Sequence, residues 1–176
     1  SAAVAQVLKH TGMLPHTNPG VLSAREMHAL RAVSVSQGLM LESVADVPAH
    51  AGCKTKAPRM RLRQLELAGR LSVPFTTGLL LGLGETRSDT IDALLRIRHA
   101  HERWGHVQEI IIQPFRPKLD TRMANVDAFP EAELLWAVAA AKLILGPIGI
   151  PIQSPPNLSS GPEEMCRLLR CGIDDW

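Results

Sequence analysis

The stretch that most limits what this chain can fold into runs from Val73 to Thr86, Val-Pro-Phe-Thr-Thr-Gly-Leu-Leu-Leu-Gly-Leu-Gly-Glu-Thr. Phe75 to Leu83 carries no charge, as expected of a strand covered on both faces by neighbouring elements. Gly78, Gly82 and Gly84 leave little side-chain bulk, so another backbone or a flat ligand can approach closely. Glu85 follows where the strand stops, the end at which parallel α/β folds keep their chemistry. Two readings stay open for this stretch, a ligand-facing strand end and a plain core strand with a tight exit. A GxGxxG dinucleotide fingerprint fails, because Arg87 stands where the third glycine belongs.

On either side of that stretch, strand and helix signals alternate. A helix from Ala2 to Thr11 closes at Gly12, a short strand covers Met13 to Thr17, and His16, Asn18, Pro19 and Gly20 make a polar turn. Ser23 and Glu26 form a capping box that opens a helix to about Ala32. Gln37 to Leu41 is the next strand, with Glu42 at its end. A long loop over residues 43–57, containing His50, Gly52 and Cys53, leads to a helix begun by Pro58 and ending at Gly69, with Arg61 in its first turn. Ser88 is the expected cap of the helix that ends near Trp104 and Gly105. Val107 to Gln113 is a β-branched strand with a rigid exit through Arg116 to Lys118. Glu131 starts a helix that Gly146 stops, Ile148 to Gln153 is a fifth strand, and Pro162 opens a last helix closed by Gly172. Ile173 begins what reads as a sixth strand.

This alternation predicts parallel strands with helical crossovers, in one domain over residues 1–176. Polar residues collect at one end of every strand: His16 and Asn18, Glu42, Glu85, Gln113 and Arg116, Gln153 and Asn157. In a β/α barrel those ends share one face and build one site. A full barrel needs eight strands and about 250 residues. The fold class expected is therefore α/β, an incomplete parallel β/α barrel of TIM type with about five strands and the start of a sixth. An open barrel leaves strand edges unpaired, and poor solubility follows.

Bulk properties exclude several functions. A net charge of +2 supplies no basic field for nucleic acid, and aromatics are only 3% of residues, too few for a base-stacking platform. The most apolar run, Leu134 to Ile152, is broken by Lys142, Gly146, Pro147 and Pro151 and does not read as a membrane span. No signal peptide opens the chain, and the three cysteines, Cys53, Cys166 and Cys171, suggest no disulfide framework, so a cytoplasmic setting is expected. Cys166 and Cys171, the pair near the C-terminal end, are too few to hold a metal cluster, so no metal ligand is assigned in this chain.

Five pieces occur here in order: Leu14-Pro-His-Thr-Asn-Pro-Gly20, Gly38-Leu-Met-Leu-Glu42, the Pro74 to Thr86 stretch, Ile112-Gln-Pro-Phe-Arg-Pro-Lys118 and Ile152-Gln-Ser-Pro-Pro-Asn-Leu158. Together they closely resemble the radical S-adenosylmethionine (radical SAM) family that makes 7,8-didemethyl-8-hydroxy-5-deazariboflavin (FO), specifically its first subunit or the equivalent half of the fused enzyme. Cys171-Gly-Ile-Asp-Asp-Trp176 resembles the start of that family's last-strand motif. The resemblance implies a radical SAM barrel holding a 4Fe–4S cluster and S-adenosylmethionine. It also implies formation of the deazaflavin chromophore from an adduct of tyrosine and 5-amino-6-ribitylaminouracil, with loss of ammonia. Expected partners are the small-molecule substrate, a second subunit or fused half, and an electron donor such as ferredoxin or flavodoxin, with no nucleic acid and no membrane.

Carried over residue by residue, the cofactor contacts implied are Glu42, Arg61, Gly78, Leu81, Gly82 and Glu85. Glu42 would reach the ribose or amino group, Arg61 the methionine carboxylate, and the glycine backbone the adenine, while Glu85 would hold the adjoining turn. The substrate contacts implied are His16, Asn18, Gln113, Arg116, Gln153 and Asn157, and no catalytic residue is assigned. From the residues alone, Glu42 also fits an ordinary strand-end carboxylate, Arg61 a solvated helix position, and the others structural turns. Lys54-Thr55-Lys56 departs from the family's more usual Pro-Asp-Lys. The family's CxxxCxxC, which holds the cluster, is absent from these residues, and so are the first two strands. The chain is therefore expected to be the C-terminal part of the barrel and inactive alone. Two alternatives remain, a sister enzyme (the second deazaflavin synthase subunit or a biotin synthase relative) and a scaffold that binds S-adenosylmethionine without a cluster.

Overall fold

The computed structural model describes residues 2–121 and 123–176. Five parallel strands form one sheet in the order in which they occur along the chain. They are β1 (His16–Thr17), β2 (Ser36–Gly38), β3 (Phe75–Leu81), β4 (Val107–Pro114) and β5 (Ile152–Gln153). Helices α1 (Ala2–Thr11), α2 (Ala24–Arg31), α3 (Pro58–Arg70), α4 (Arg87–Trp104), α5 (Glu131–Leu145) and α6 (Pro162–Cys171) alternate with them. Right-handed crossovers between sequential parallel strands put the connecting helices on one face. The sheet does not close on itself, so the molecule is an open arc of a β/α barrel.

The core lies between that face and the helices. Phe75, Leu79 and Leu81 of β3 and Ile110 and Ile112 of β4 pack against Met27 (α2), Leu65 (α3), Leu94 and Ile97 (α4) and Val138 (α5), all buried. The opposite face, carrying Gly78 and Leu80 of β3 and Glu109, Ile111 and Gln113 of β4, corresponds to the barrel lumen, because side chains alternate along a strand. Residues 109, 111 and 113 are only half-buried there. Helix α1 has no buried residue, and Val7, Met13 and Leu14 are exposed.

Several sequence expectations are corrected. The cap of α4 is Thr86, not Ser88: the Thr86 hydroxyl accepts from the Asp89 N–H, and Asp89 accepts from the Thr86 N–H. The reciprocal pair decides this, because Asp89 stands three residues after Thr86 and returns its hydrogen bond, whereas Ile91 stands three residues after Ser88 and cannot. Strand β1 is shorter than expected, since Met13 and Leu14 lie exposed ahead of it. Residues 146–148 form a 3-10 turn, which delays β5 to Ile152. The sixth strand is reduced to a single parallel bridge between Gln153 and Asp175. By contrast the Ser23–Glu26 capping box forms as the sequence predicts.

Candidate functional site

The site grows out of an irregularity at the end of β2. The ladder between β2 and β3 stops at Gly38 paired with Thr76 and resumes only at a bridge between Glu42 and Leu79. The Thr77 hydroxyl fills the gap, donating to the Leu39 carbonyl (3.0 Å) and accepting from the Leu41 N–H (3.2 Å). Glu42 then takes a positive φ of 66°, sparsely populated by residues with a side chain. Its backbone is fixed on both sides, its N–H donating to Gly78 and its carbonyl accepting from Leu80.

Three basic side chains converge on the Glu42 carboxylate. His50 Nε2 lies 2.8 Å and Lys56 Nζ 3.0 Å from the same oxygen, Oε2. Arg61 Nη2 lies 3.4 Å from the other, Oε1. Burial pushes the His50 ring below its ordinary value; Glu42 pulls the other way, and Lys56 and Arg61 reinforce the push. A neutral ring facing a carboxylate must carry its proton on Nε2, which therefore donates. Arg61 is buried and anchors the connecting loop, donating from Nε to the Thr55 carbonyl (2.6 Å) and from Nη1 to the Met40 carbonyl (2.8 Å). Residues 43–57 thus fold back over the strand end, and side chains between 45 and 58, His50 and Lys56 among them, line an open hollow of about 480 Å³.

The β3 exit forms the neighbouring wall. Glu85 accepts from the Gly82 N–H (2.6 Å) and the Leu83 N–H (2.9 Å), closing the turn after the strand. Gly82 and Gly84 have φ values of 98° and 110°, which favour glycine. This turn, with Pro48, Ala49, Met123 and Val126, lines a second hollow of about 490 Å³. Gly78 has a packing role, since a Cβ there would collide with the Ile111 carbonyl and lie 2.5 Å from Met40 Cε. Leu81 points into the core, and its carbonyl accepts from the Phe115 N–H (2.7 Å).

The residues named for substrate spread along the same rim and lumen. Gln113 and Arg116 line a third hollow of about 380 Å³ with Leu80, Phe115, Lys118 and Leu158. The Arg116 guanidinium is already engaged, donating to the Leu158 carbonyl (3.0 Å) and lying 3.4 Å from the buried Glu164. His16 Nδ1, on the edge strand β1, meets Ser36 Oγ of β2 at 2.7 Å. Gln153 is half-buried, while Asn18 and Asn157 are exposed on turns. Sequence reasoning named Glu42 and Arg61 but left out His50, Lys56 and the Thr55 carbonyl. The signal was the Lys54–Lys56 run, twelve to fourteen residues after a strand-end carboxylate.

No family model matches the chain. Among curated proteins it is 51% identical over 185 residues to the FO synthase of Mycobacterium tuberculosis (strain ATCC 25618 / H37Rv), covering 99% of this chain and 21% of that protein. It is 46% identical to the 7,8-didemethyl-8-hydroxy-5-deazariboflavin synthase of Methanoregula boonei, covering 98% of this chain and 51% of that protein. The corresponding protein of Synechococcus elongatus is 44% identical, with 98% and 52% covered. Among solved structures, methylornithine synthase superposes with a TM-score of 0.78 at 16% identity, covering 99% of this chain and 50% of that one. A 2,3-dimethylmalate lyase superposes with a TM-score of 0.57 at 14% identity, covering 99% and 60%. At such identities these two show the fold alone. Over almost its entire length the chain is homologous to the FO synthases and 7,8-didemethyl-8-hydroxy-5-deazariboflavin synthases, and it spans about a fifth to about half of their length.

Proposed function

We propose that these 176 residues are part of a radical SAM synthase that forms the deazaflavin FO. The observation that carries this reading is identity of 44–51% over nearly the whole chain to relatives bearing that name. The site supports it, since a carboxylate, two cations and a glycine-lined turn adjoin at the strand ends, chemistry suited to a zwitterionic amino acid linked to adenosine.

The described residues contain no group of three His, Cys, Asp or Glu side chains able to hold a metal. The 4Fe–4S cluster of the proposed enzyme therefore has no ligand set here, and its cysteines would come from outside these residues. S-adenosylmethionine fits better, and when bound at a reduced cluster it is the source of a 5′-deoxyadenosyl radical. Toward it, Glu42 would accept from the α-ammonium, and the Gly82–Gly84 backbone, held by Glu85, would lie against the adenine. Gln113 and Gln153, half-buried on the lumen face, would orient the adduct of tyrosine and 5-amino-6-ribitylaminouracil. The protein's own work is orientation and exclusion of water. A second synthase half and a one-electron donor such as ferredoxin or flavodoxin complete the proposal, with the cytoplasm as its setting.

The test is to reconstitute the full-length gene product with iron and sulfide. It is then supplied with S-adenosylmethionine, a low-potential reductant, tyrosine and 5-amino-6-ribitylaminouracil, together with the second synthase half. Fluorescent deazaflavin and 5′-deoxyadenosine are expected, and the 176-residue chain alone is expected to make neither. Absence of both products from the fully reconstituted protein refutes the assignment.

A further inference from the structure

A second polar group lies deeper in the lumen than the strand ends. Ser36 is 3% exposed, and its hydroxyl meets His16 Nδ1 at 2.7 Å and no other acceptor among the described residues. A buried hydroxyl keeps its proton paired, so Ser36 donates and Nδ1 of the neutral ring accepts. The ring proton therefore sits on Nε2, which has no partner among the described residues. Gly38 makes room for that edge of the ring, since a Cβ there would lie 2.9 Å from Nε2 and 3.2 Å from Cε1. Gly38 is the register partner of Thr76, which shares the lumen face with Gly78 and Leu80, so His16 presents its N–H to the lumen.

The facing acceptor comes from an irregularity in β4. The β3–β4 ladder slips between Phe75, opposite Val107, and Thr76, opposite Glu109, which makes Gln108 an extra residue. Both Gln108 and Glu109 then reach the Thr76 hydroxyl, which accepts from Gln108 Nε2 (3.1 Å) and donates to Glu109 Oε1 (2.8 Å). Oε2 of Glu109 has no partner among the described residues. Thr76 stands three residues before Leu79, which bridges Glu42, so this floor lies roughly 10 Å below the strand ends. An N–H and a carboxylate on one floor suit a group that accepts and donates at once, the hydroxyl.

We infer that this floor, His16 together with Glu109, holds the ribityl hydroxyls of the substrate, with Ser36 and Gly38 as positioning residues for the imidazole. The inference rests on the reading that the substrate is the adduct of tyrosine and 5-amino-6-ribitylaminouracil. With the reacting end of that adduct held at the strand ends, its ribityl chain, a polyol that takes no part in ring closure, runs down the lumen to the floor.

The experiment is fluorescence titration of the full-length protein with FO, which keeps the ribityl chain, and with its counterpart carrying a methyl group in place of that chain. Wild type should bind FO more tightly. His16→Phe and Glu109→Gln should each weaken FO by about tenfold, the scale of one lost hydrogen bond, and leave the methyl compound unchanged. Gly38→Ala should act in the same way by displacing the imidazole while His16 itself is intact, a selectivity that a merely structural role would not produce. Unchanged FO binding by either His16→Phe or Glu109→Gln, or equal loss of both compounds, overturns the inference while leaving the substrate assignment intact. Equal affinity of wild type for the two compounds overturns it as well. A wild-type protein that binds neither compound overturns the substrate assignment and the inference with it. Glu109→Gln keeps an acceptor for the Thr76 hydroxyl, so the comparison stands on that variant if His16→Phe fails to fold.

Discussion

Arg61 ties three separate pieces of chain to Glu42: its own helix, the Met40 carbonyl at the end of β2 and the Thr55 carbonyl of the covering loop. Removing it takes the partner from Oε1 of a nearly buried carboxylate, whose Oε2 keeps Lys56 and His50, and leaves two carbonyls without their donor. Arg61→Met should therefore destabilise the protein by about 3 kcal/mol, the range for breaking a buried ion pair from one side. Urea unfolding measures the loss. A change under about 0.5 kcal/mol, the level of an ordinary surface substitution, contradicts the role given to Arg61.

Glu85 contributes through backbone rather than through charge contact. Replacing it with Ala leaves the Gly82 and Leu83 N–H groups without their acceptor. A loss of roughly 1–2 kcal/mol is expected, the cost of unmaking such bonds. Amide exchange at Gly82 and Leu83 should quicken while that of β4 stays slow. Equal protection in variant and wild type would show that the carboxylate does not hold this turn.

Gly78 has no room for a methyl group. A Cβ there meets the Ile111 carbonyl on the neighbouring strand, and a backbone atom cannot step aside as a side chain can. Gly78→Ala should cost at least about 3 kcal/mol, at the high end for overpacking. Gly149→Ala is the contrast, since nothing lies near its Cβ. That variant meets only the strain of a φ of 78°, about 1–2 kcal/mol. The two melting temperatures should separate clearly.

Two hydroxyls two residues apart compete for the start of α4. Thr86→Ala should cost about 1 kcal/mol as a lost cap. Ser88→Ala, at an exposed position inside the first turn, should change stability by less than about 0.5 kcal/mol. Thermal unfolding of the pair decides, and a larger loss for Ser88 would move the helix start.

His106 makes stability depend on acid. Burial drives its ring below the ordinary 6.5; the Leu65 carbonyl and Glu66 pull upward and His101 adds to the push. Its Nε2 donates to Leu65 at 2.9 Å, and Nδ1 is buried without a partner. The unfolded ring binds a proton more readily than the folded one, so stability rises with pH across the interval between the two values. The contribution is complete above about 6.5 and is lost as pH falls through the lower, folded value. His50 shifts in the same direction. Urea midpoints measured from pH 8 to pH 5 should fall on acidification. His106→Gln should flatten part of that slope, and an unchanged slope would contradict the assignment.

The sequence by itself determined what short-range chemistry controls. Alternating strand and helix signals announce the parallel architecture, and Ser23 with Glu26 starts α2 without help from distant residues. Gly82, Gly84 and Glu85 spell out a turn within four positions, and Glu42 is visible as a carboxylate closing an apolar strand. Only the tertiary structure decided what depends on residues far apart in the chain. Arg61 reaches the Met40 carbonyl across twenty-one positions, and Arg116 finds Glu164 across forty-eight. No local pattern encodes such pairs. The start of α4, by contrast, was a local matter after all, since Asp89 stands three positions after Thr86 to close a capping box and Ile91 stands three positions after Ser88. Which oxygen of Glu42 each cation takes follows from how the 43–57 loop folds back, and periodicity carries no information about a loop's path.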